Sequence, residues 1–318
     1  MKRAIVVLIV ALLLVPALVA EGTKEMKPTF INIATGGTAG TYFPLGGALA
    51  EIWNTNIKNM NATAQSTGAS VANINLLRDG KNEVIMVQND ICYYAVNGLE
   101  MFKDKAFADI RGLVTLYPET IQVITLADKG IVKISDLRGK RVAVGAAGSG
   151  TEANARQILE AAGLSYSDLT AQYLSFAEAA NNLKDGNIDA AFVTAGFPTA
   201  AVQDIAASRK VALVSISPEI VTAITKKYPF YTSITIPAST YTGVDTPIST
   251  VAVKAMLAVR ADLDPTIAYL MVKTMYANTD RLKAAHKVGT QITVDTGKAG
   301  MPLTLHPGSD KFFKEAGK

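Results

Sequence analysis

The fold is decided by a stretch that occurs twice. Asn75-Leu76-Leu77-Arg78-Asp79-Gly80-Lys81-Asn82-Glu83-Val84-Ile85-Met86-Val87-Gln88 aligns without gaps on Asn181-Asn182-Leu183-Lys184-Asp185-Gly186-Asn187-Ile188-Asp189-Ala190-Ala191-Phe192-Val193-Thr194. Asn, Leu, Asp, Gly and Val coincide, and Arg/Lys and Glu/Asp are conservative exchanges. Each copy reads as a helix end, an Asp-Gly stop and a buried strand.

Upstream of each copy lies a second matching pair. Phe30-Ile31-Asn32-Ile33-Ala34 predicts a strand, Thr35-Gly36-Gly37-Thr38-Ala39-Gly40-Thr41 a loop, and residues 44–53 a helix with Pro44 in its first turn. Arg141-Val142-Ala143-Val144 predicts another strand, residues 145–151 a loop, and residues 152–162 a helix that Gly163 stops. Gly40-Thr41 and Gly150-Thr151 thereby take equivalent places. Two similar α/β units predict two lobes with a cleft between them. Open α/β sheets bind ligands beyond the carboxyl ends of their strands, so both Gly loops and the residues after both repeated strands should line that cleft.

Residues 112–128 and 251–262 are rich in β-branched residues and read as long strands that connect the lobes. Two such crossings divide the chain into a discontinuous first lobe, 21–120 with 245–318, and a second lobe, 121–244. Residues 264–285 predict a C-terminal helix with Pro265 in its first turn.

The start of the chain points to export. Lys2 and Arg3 precede an uncharged apolar run over residues 4–20, interrupted by Pro16 and ending in small residues, which is the pattern of a cleaved secretory signal. Cleavage is expected after Ala20. A lipid anchor would need a Cys right after the signal, whereas the one Cys is Cys92; a soluble exported protein without an anchor implies a periplasm. Cys92 lies in Ile91-Cys92-Tyr93-Tyr94, the setting of a buried small hydrophobe. The net charge of +4 falls by two with Lys2 and Arg3, and the remaining charges are scattered, which excludes a nucleic-acid footprint.

Several motifs point away from catalysis. Gly145-x4-Gly150-Thr151 partly matches a nucleotide P-loop, but Thr151-Glu152 stands where the phosphate-binding Lys should be. Gly148-Ser149-Gly150-Thr151-Glu152-Ala153 also fits a dinucleotide fingerprint, a weak signal when alone, and a nicotinamide cofactor is out of place outside the cytoplasm. No cofactor is expected. His286 and His306 lack metal-ligand neighbours, and no G-x-S-x-G elbow occurs. The chain is therefore read as a binder and not an enzyme. Small residues let a ligand approach backbone, and helix N-terminal N–H groups favour an anion. With Thr151 as helix cap, Ser149 would be free for ligand. Gln65, Ser66 and Thr67 follow a strand and offer neutral donors, or form a turn with a helix cap. Tyr42, Tyr93, Tyr94 and Phe197 are the aromatic residues near the expected cleft.

At these residues a family pattern emerges. Ile33-Ala34-Thr35-Gly36-Gly37-Thr38, Tyr42-Phe43-Pro44-Leu45-Gly46, Ala64-Gln65-Ser66-Thr67-Gly68 and Val87-Gln88-Asn89-Asp90 closely resemble the TAXI class of TRAP-transporter solute receptors. So do Gly148-Ser149-Gly150-Thr151-Glu152-Ala153-Asn154-Ala155-Arg156, Phe176-Ala177-Glu178-Ala179-Ala180, Ala190-Ala191-Phe192-Val193-Thr194-Ala195-Gly196 and Leu305-His306-Pro307-Gly308. The resemblance implies a type II periplasmic-binding-protein fold with a hinged inter-lobe cleft, and delivery of solute to TRAP membrane permease subunits. Members of the class are associated with glutamate, glutamine and 2-oxoglutarate-like ligands. A sister class grips carboxylate with an arginine; here Arg78 sits beside an Asp-Gly turn and Arg156 inside a helix, so neither takes that place.

The expected pocket places Gly148, Ser149, Gly150 and Thr151 on a carboxylate. Thr38, Ala39 and Tyr42 face it from the other lobe, and Gln65, Ser66, Thr67, Gln88, Thr194 and Phe197 complete the site. An ABC-type substrate-binding protein of the same fold is the alternative.

Overall fold

The computed structural model describes residues 28–318; the signal segment read from residues 1–20 lies outside them. The described chain is mixed α/β. Its first part runs β1 (Thr29–Ala34), α1 (Tyr42–Asn56), β2 (Met60–Gln65), α2 (Ser70–Arg78), β3 (Val84–Gln88), α3 (Asn89–Asn97) and the long strand β4 (Ile110–Leu126). Next come β5 (Arg141–Ala143), α4 (Gly150–Ala161), β6 (Thr170–Gln172), α5 (Phe176–Lys184), β7 (Ala190–Ala195), α6 (Ala200–Ala206), β8 (Val211–Val214), α7 (Pro218–Lys227) and β9 (Thr232–Ile236). The long strand β10 (Ile248–Arg260) leads to α8 (Pro265–Ala277), α9 (Thr279–Ala285) and α10 (Pro307–Glu315).

The repeat is present in three dimensions. α2 ends at Arg78 and α5 at Lys184, and each is followed by a glycine in the left-handed region, Gly80 at φ 65° and Gly186 at φ 79°. A residue with a Cβ rarely adopts that backbone, which is why both copies keep Asp-Gly. The conservative Glu/Asp pair also has a shared task. Glu83 Oε2 accepts the N–H of Asn32 on β1 at 2.7 Å, and Asp189 Oδ2 accepts the N–H of Arg141 on β5 at 3.0 Å. Each acid thus ties its strand to the first strand of its own unit.

The sheet runs β2-β1-β3-β10-β4-β7-β5-β6, with β8 pairing β4 and β9 pairing β10. β1 is parallel to β2 and β3, and β5 is parallel to β6 and β7. Between these parallel groups stand the antiparallel strands β10 and β4. β4 meets β10 over its first half and β7 and β8 over its second. Both long strands therefore pass from one group to the other, and the pairing slips between Lys254 and Met256 where they do so.

Each group has its own apolar packing. Trp53, Leu45 and Leu49 of α1 pack with Met271, Met275 and Phe313 on the first group's side, and the Trp53 indole N–H donates to the Met271 carbonyl at 3.0 Å. Ala180, Leu183, Val202 and Ile205 do the same on the second. Cys92 is fully buried in a third cluster, as expected of a small hydrophobe.

Three local expectations need correction. The C-terminal helix breaks at Asn278 (φ −126°, ψ 35°) into α8 and α9. α1 begins at Tyr42, which leaves Pro44 in its first turn. α4 begins at Gly150, and its cap is Ser149, whose Oγ accepts the N–H of Glu152 at 3.1 Å. Ser149 is thus engaged at the helix start, and Thr151 lies inside the helix.

Candidate ligand-binding cleft

The carboxyl ends of β1, β3, β5 and β7 open onto one cavity of about 580 Å3, its mouth included. From the first group come Gly36, Gly37, Gly40 and Thr41 after β1, Tyr42, the turn Thr67-Gly68-Ala69-Ser70, and Gln88 at the end of β3. The second contributes Ala146, Ser149, Gly150, Thr151, Ser175, Phe176, Thr194 and Ala195, while Tyr117 and Glu119 of β4 form the floor.

Local chemistry explains why these segments face the cavity. Ala69 holds φ 69°, ψ −148° immediately before α2, a conformation open mainly to glycine, and strain of this kind collects at ligand sites. The turn is fixed by Thr67, whose Oγ1 accepts the Ala69 N–H at 3.1 Å and whose single hydroxyl hydrogen is shared between Asn73 Oδ1 at 2.6 Å and the Thr35 carbonyl at 2.9 Å. The start of α4 presents the N–H groups of Gly150 and Thr151, which have no intrahelical acceptor. Such a helix end suits an anion.

The lobes meet across the cavity. The Gly196 N–H donates to Thr41 Oγ1 at 3.1 Å, the Ala201 N–H to the Ala39 carbonyl at 3.2 Å, and the Ala72 N–H to the Gly148 carbonyl at 3.1 Å. Gln88 Nε2 donates to Asn154 Oδ1 at 3.0 Å. Asn154 continues inward, donating to Asp90 Oδ2 at 3.1 Å and to the Tyr231 hydroxyl at 2.8 Å, and Tyr231 donates to Gln157 Oε1 at 2.6 Å. A Cβ on Gly150 would lie 1.9 Å from Gln88 Oε1 and 2.4 Å from its Cδ, so any larger residue there displaces the Gln88 amide from its place between the lobes.

Three buried polar atoms on the cavity lack a partner: Tyr42 Oη, Gln88 Oε1 and Thr194 Oγ1. Buried polar groups in folded proteins are nearly always satisfied, and the convergence of these three on one cavity leaves hydrogen-bonding capacity that a molecule entering it could use. Burial also pushes the Glu119 carboxyl up to about 8, while Tyr42 and Gln88 nearby pull it down, the Asp90 charge raises it and Tyr117 lowers it. Asp90, behind the cavity, is raised by burial to about 7, against the Ile91 N–H and the Asn154 amide.

Of the residues expected at the site, Tyr42, Thr67, Gln88, Ser149, Gly150, Thr151 and Thr194 line the cavity together. Six do not. Thr38 is exposed on the loop. Ala39 packs with Phe197 on the second group's core and meets α6 through its carbonyl. Gln65 is exposed and accepts from Asn82 Nδ2 at 2.9 Å, and Ser66 donates to the Gly36 carbonyl at 3.0 Å. Gly148 bridges to Ala72. Of the other aromatics, Tyr93 packs against Phe230 with the rings tilted by 50°, and Tyr94 accepts from Gln157 Nε2 at 3.2 Å.

Glu119, Tyr117, Ser175 and Phe176 were not expected at the site. Glu119 could have been found, because it is the one charged residue in the β-rich run 112–126. Arg78 lies over the rings of Phe102 and Phe107, and Arg156 pairs with Glu100 at 3.2 Å; neither lines the cavity.

The profile of the NMT1-like family matches residues 33–317. Among solved structures, the alkanesulfonate-binding protein SsuA from Xanthomonas axonopodis pv. citri bound to MOPS superposes with a TM-score of 0.52 at 14% identity, covering 91% of this chain and 84% of its own. A putative L-cystine ABC transporter from Listeria monocytogenes gives a TM-score of 0.52 at 16% identity, covering 83% and 98%. A protein from Bordetella bronchiseptica RB50 gives 0.54 at 14% identity, covering 90% and 82%. These likenesses show a shared two-lobed fold.

Proposed function

The chain belongs to the NMT1-like family, and from that premise we propose that it is an exported solute-binding receptor that captures a small carboxylate-bearing molecule between its lobes and delivers it to a membrane transporter. The observation that carries this reading is the convergence of Tyr42 Oη, Gln88 Oε1 and Thr194 Oγ1, all buried and unpartnered, on one inter-lobe cavity. The receptor binds and releases its ligand without chemistry. The start of α4 holds the carboxylate, as the helix end and the glycine-lined approach favour. Closure is a hinge motion about β4 and β10, with 21–120 and 245–318 moving against 121–244.

Among the described residues no helix is long and apolar enough to cross a membrane. With the amino-terminal signal pattern, this supports residence in the periplasm. For the membrane partner, the ABC-type reading has the better support, because the fold neighbours include an alkanesulfonate-binding protein and a putative ABC transporter component. The TRAP-type reading keeps the support of the in-order TAXI-like motifs. Uptake in vesicles that carry the cognate permease separates the two: ATP dependence marks the first, and dependence on an ion gradient without ATP the second.

The receptor reading is tested by a thermal-shift screen of amino acids, dicarboxylates and sulfonates. A one-site ligand at about 100 times its Kd adds roughly 2.7 kcal/mol to stability, a readily visible rise in Tm. If no solute in the screen raises Tm, the receptor reading fails.

A further inference from the structure

The floor of the cleft carries a chemistry that a generic carboxylate receptor leaves unused. Glu119 stands in β4 where the strand passes between the lobes, is 2% exposed, and lines the cavity. Among the described residues no Lys, Arg or His lines that cavity, so none of them gives the carboxyl a counter-charge there. The Tyr117 hydroxyl lies 3.4 Å from it, long for a strong interaction, and Tyr42 and Gln88 also act on the carboxyl as neutral hydrogen-bonding neighbours.

Beside it, Gln88 presents a second acceptor. The orientation of its amide follows from its neighbours. Asn154 uses its Nδ2 on Asp90 and Tyr231, so its Oδ1 faces Gln88 and takes the Gln88 Nε2. That leaves Gln88 Oε1 buried without a donor. Two acceptor oxygens, one of them a carboxylate, therefore share one cavity that supplies no cation. An unpaired buried charge is costly, and one paired with a hydrogen-bonding cation is not.

We infer that Glu119 and Gln88 recognise a protonated amine, so that the ligand is a small zwitterion with its ammonium on the floor and its carboxylate at the start of α4, and that Glu119 rejects the corresponding deaminated acid. This rests on the receptor reading of the cleft and narrows it. A dicarboxylate in the same place would meet like charge on an ionised Glu119, and would be held only with that carboxyl protonated.

Protonation gives an independent sign. The titratable groups facing Glu119 are Tyr42 of α1, Tyr117 of β4 and Asp90 of α3. In the empty cleft burial holds the Glu119 carboxyl up at about 8, so it is largely protonated at neutral pH. An ammonium ligand requires the ionised form, so binding releases a proton and affinity rises from pH 6 to pH 8. A ligand carboxylate accepting a bond from the protonated form would show the opposite slope.

The experiment is titration calorimetry of the mature protein and its Glu119→Gln variant against matched pairs: L-glutamate with glutarate, L-alanine with propanoate, and the other common L-amino acids with their deaminated acids. The expected result is that at least one amino acid binds and its deaminated partner binds roughly 30-fold or more weakly. Glu119→Gln should lose most of that preference, and wild-type affinity should rise with pH. Equal or tighter binding of a deaminated acid, or affinity that falls from pH 6 to pH 8, overturns the amine assignment and leaves the receptor reading standing. If no probe of either class binds and the thermal-shift screen is also silent, both readings fall. The pH slope is read on the wild-type protein and does not depend on whether the variant folds.

Discussion

The two loops that enter the cleft look alike in sequence and work differently. After β1 the chain runs through Gly36, Gly37 and Gly40 to Thr41 and α1; after β5 it runs through Gly145 and Gly148 to Ser149 and α4. Thr41 and Ser149 precede their helices at equivalent positions. Ser149 places its hydroxyl on its own helix, accepting the Glu152 N–H. The Thr41 side chain makes no bond to α1 and instead accepts the Gly196 N–H from the opposite lobe. One loop is built to present a helix end to a ligand, and the other to clasp the facing lobe. The shared Gly-Thr dipeptides of the sequence, Gly40-Thr41 and Gly150-Thr151, are therefore two positions out of structural register.

That contrast can be broken most strongly at the glycines. The nearest atoms to a Cβ on Gly150 all belong to Gln88 of the other lobe, at 1.9 to 3.0 Å, and Gly150 has an ordinary helical φ. Gly150→Leu should therefore leave folding intact and block lobe apposition, with a loss of affinity above about 100-fold, since overpacking costs several kcal/mol at its upper end. Calorimetry and a circular-dichroism melt separate the two effects. A Cβ on Gly40 meets the Phe176 ring at 3.3 Å, a contact that a small ring shift absorbs, so Gly40→Ala should change affinity by less than about threefold. If the two substitutions weaken binding equally, the proposed asymmetry of the loops is wrong.

The hydroxyls give the next effect. Thr41→Val leaves the buried Gly196 N–H without its acceptor, a penalty of about 1–3 kcal/mol that falls on the closed form. It should appear as weaker ligand binding with little change in the Tm of the ligand-free protein. Ser149→Ala removes a cap worth about 1 kcal/mol, and should lower Tm in the absence of ligand. Exchanged outcomes would reverse the roles assigned to the two loops.

The smallest effect compares the two repeated acids. Asp189 carries the Arg141 guanidinium through both carboxylate oxygens and Lys129 at 3.1 Å, and these bonds hold its carboxyl well below the usual range. Because its folded pKa is depressed, its contribution is fully present above the unfolded value of about 3.9 and is lost as pH falls below it. Asp189→Asn should cost about 1 kcal/mol at neutral pH and flatten the acid limb of a stability-against-pH curve. Glu83 holds a backbone N–H instead, and a neutral amide oxygen can do the same, so Glu83→Gln should cost less than Asp189→Asn at neutral pH. Chemical denaturation between pH 2 and pH 7 reads both.

Much of this architecture could be read from particular residues. The paired Leu-Arg/Lys-Asp-Gly segments located both helix stops, because a left-handed turn after a helix needs glycine wherever it occurs. The same alignment placed Gln88 and Thr194 at equivalent strand ends, and both line the cavity. β-branched content located β4 and β10. Gln65 and Ser66 stand next to Thr67, yet they turn to the strand edge and the Gly36 carbonyl, because side chains in extended backbone alternate faces and no local pattern says which face meets the cleft.

What the sequence determined by itself was therefore whatever depends on near neighbours along the chain: strands, helix stops, the duplicated unit, and the small residues that let backbone approach a ligand. What only the tertiary structure decided was which groups confront each other from distant segments. Glu119 became the floor of a cavity because β4 crosses between the lobes there. Ser149 rather than Thr151 became the cap of α4. Gly150 became a point of close inter-lobe approach because Gln88, sixty-two positions earlier in the chain, packs against it. Contacts of that kind are set by the folding of the whole sheet, and their energies come from burial and missing partners that no local run of residues encodes.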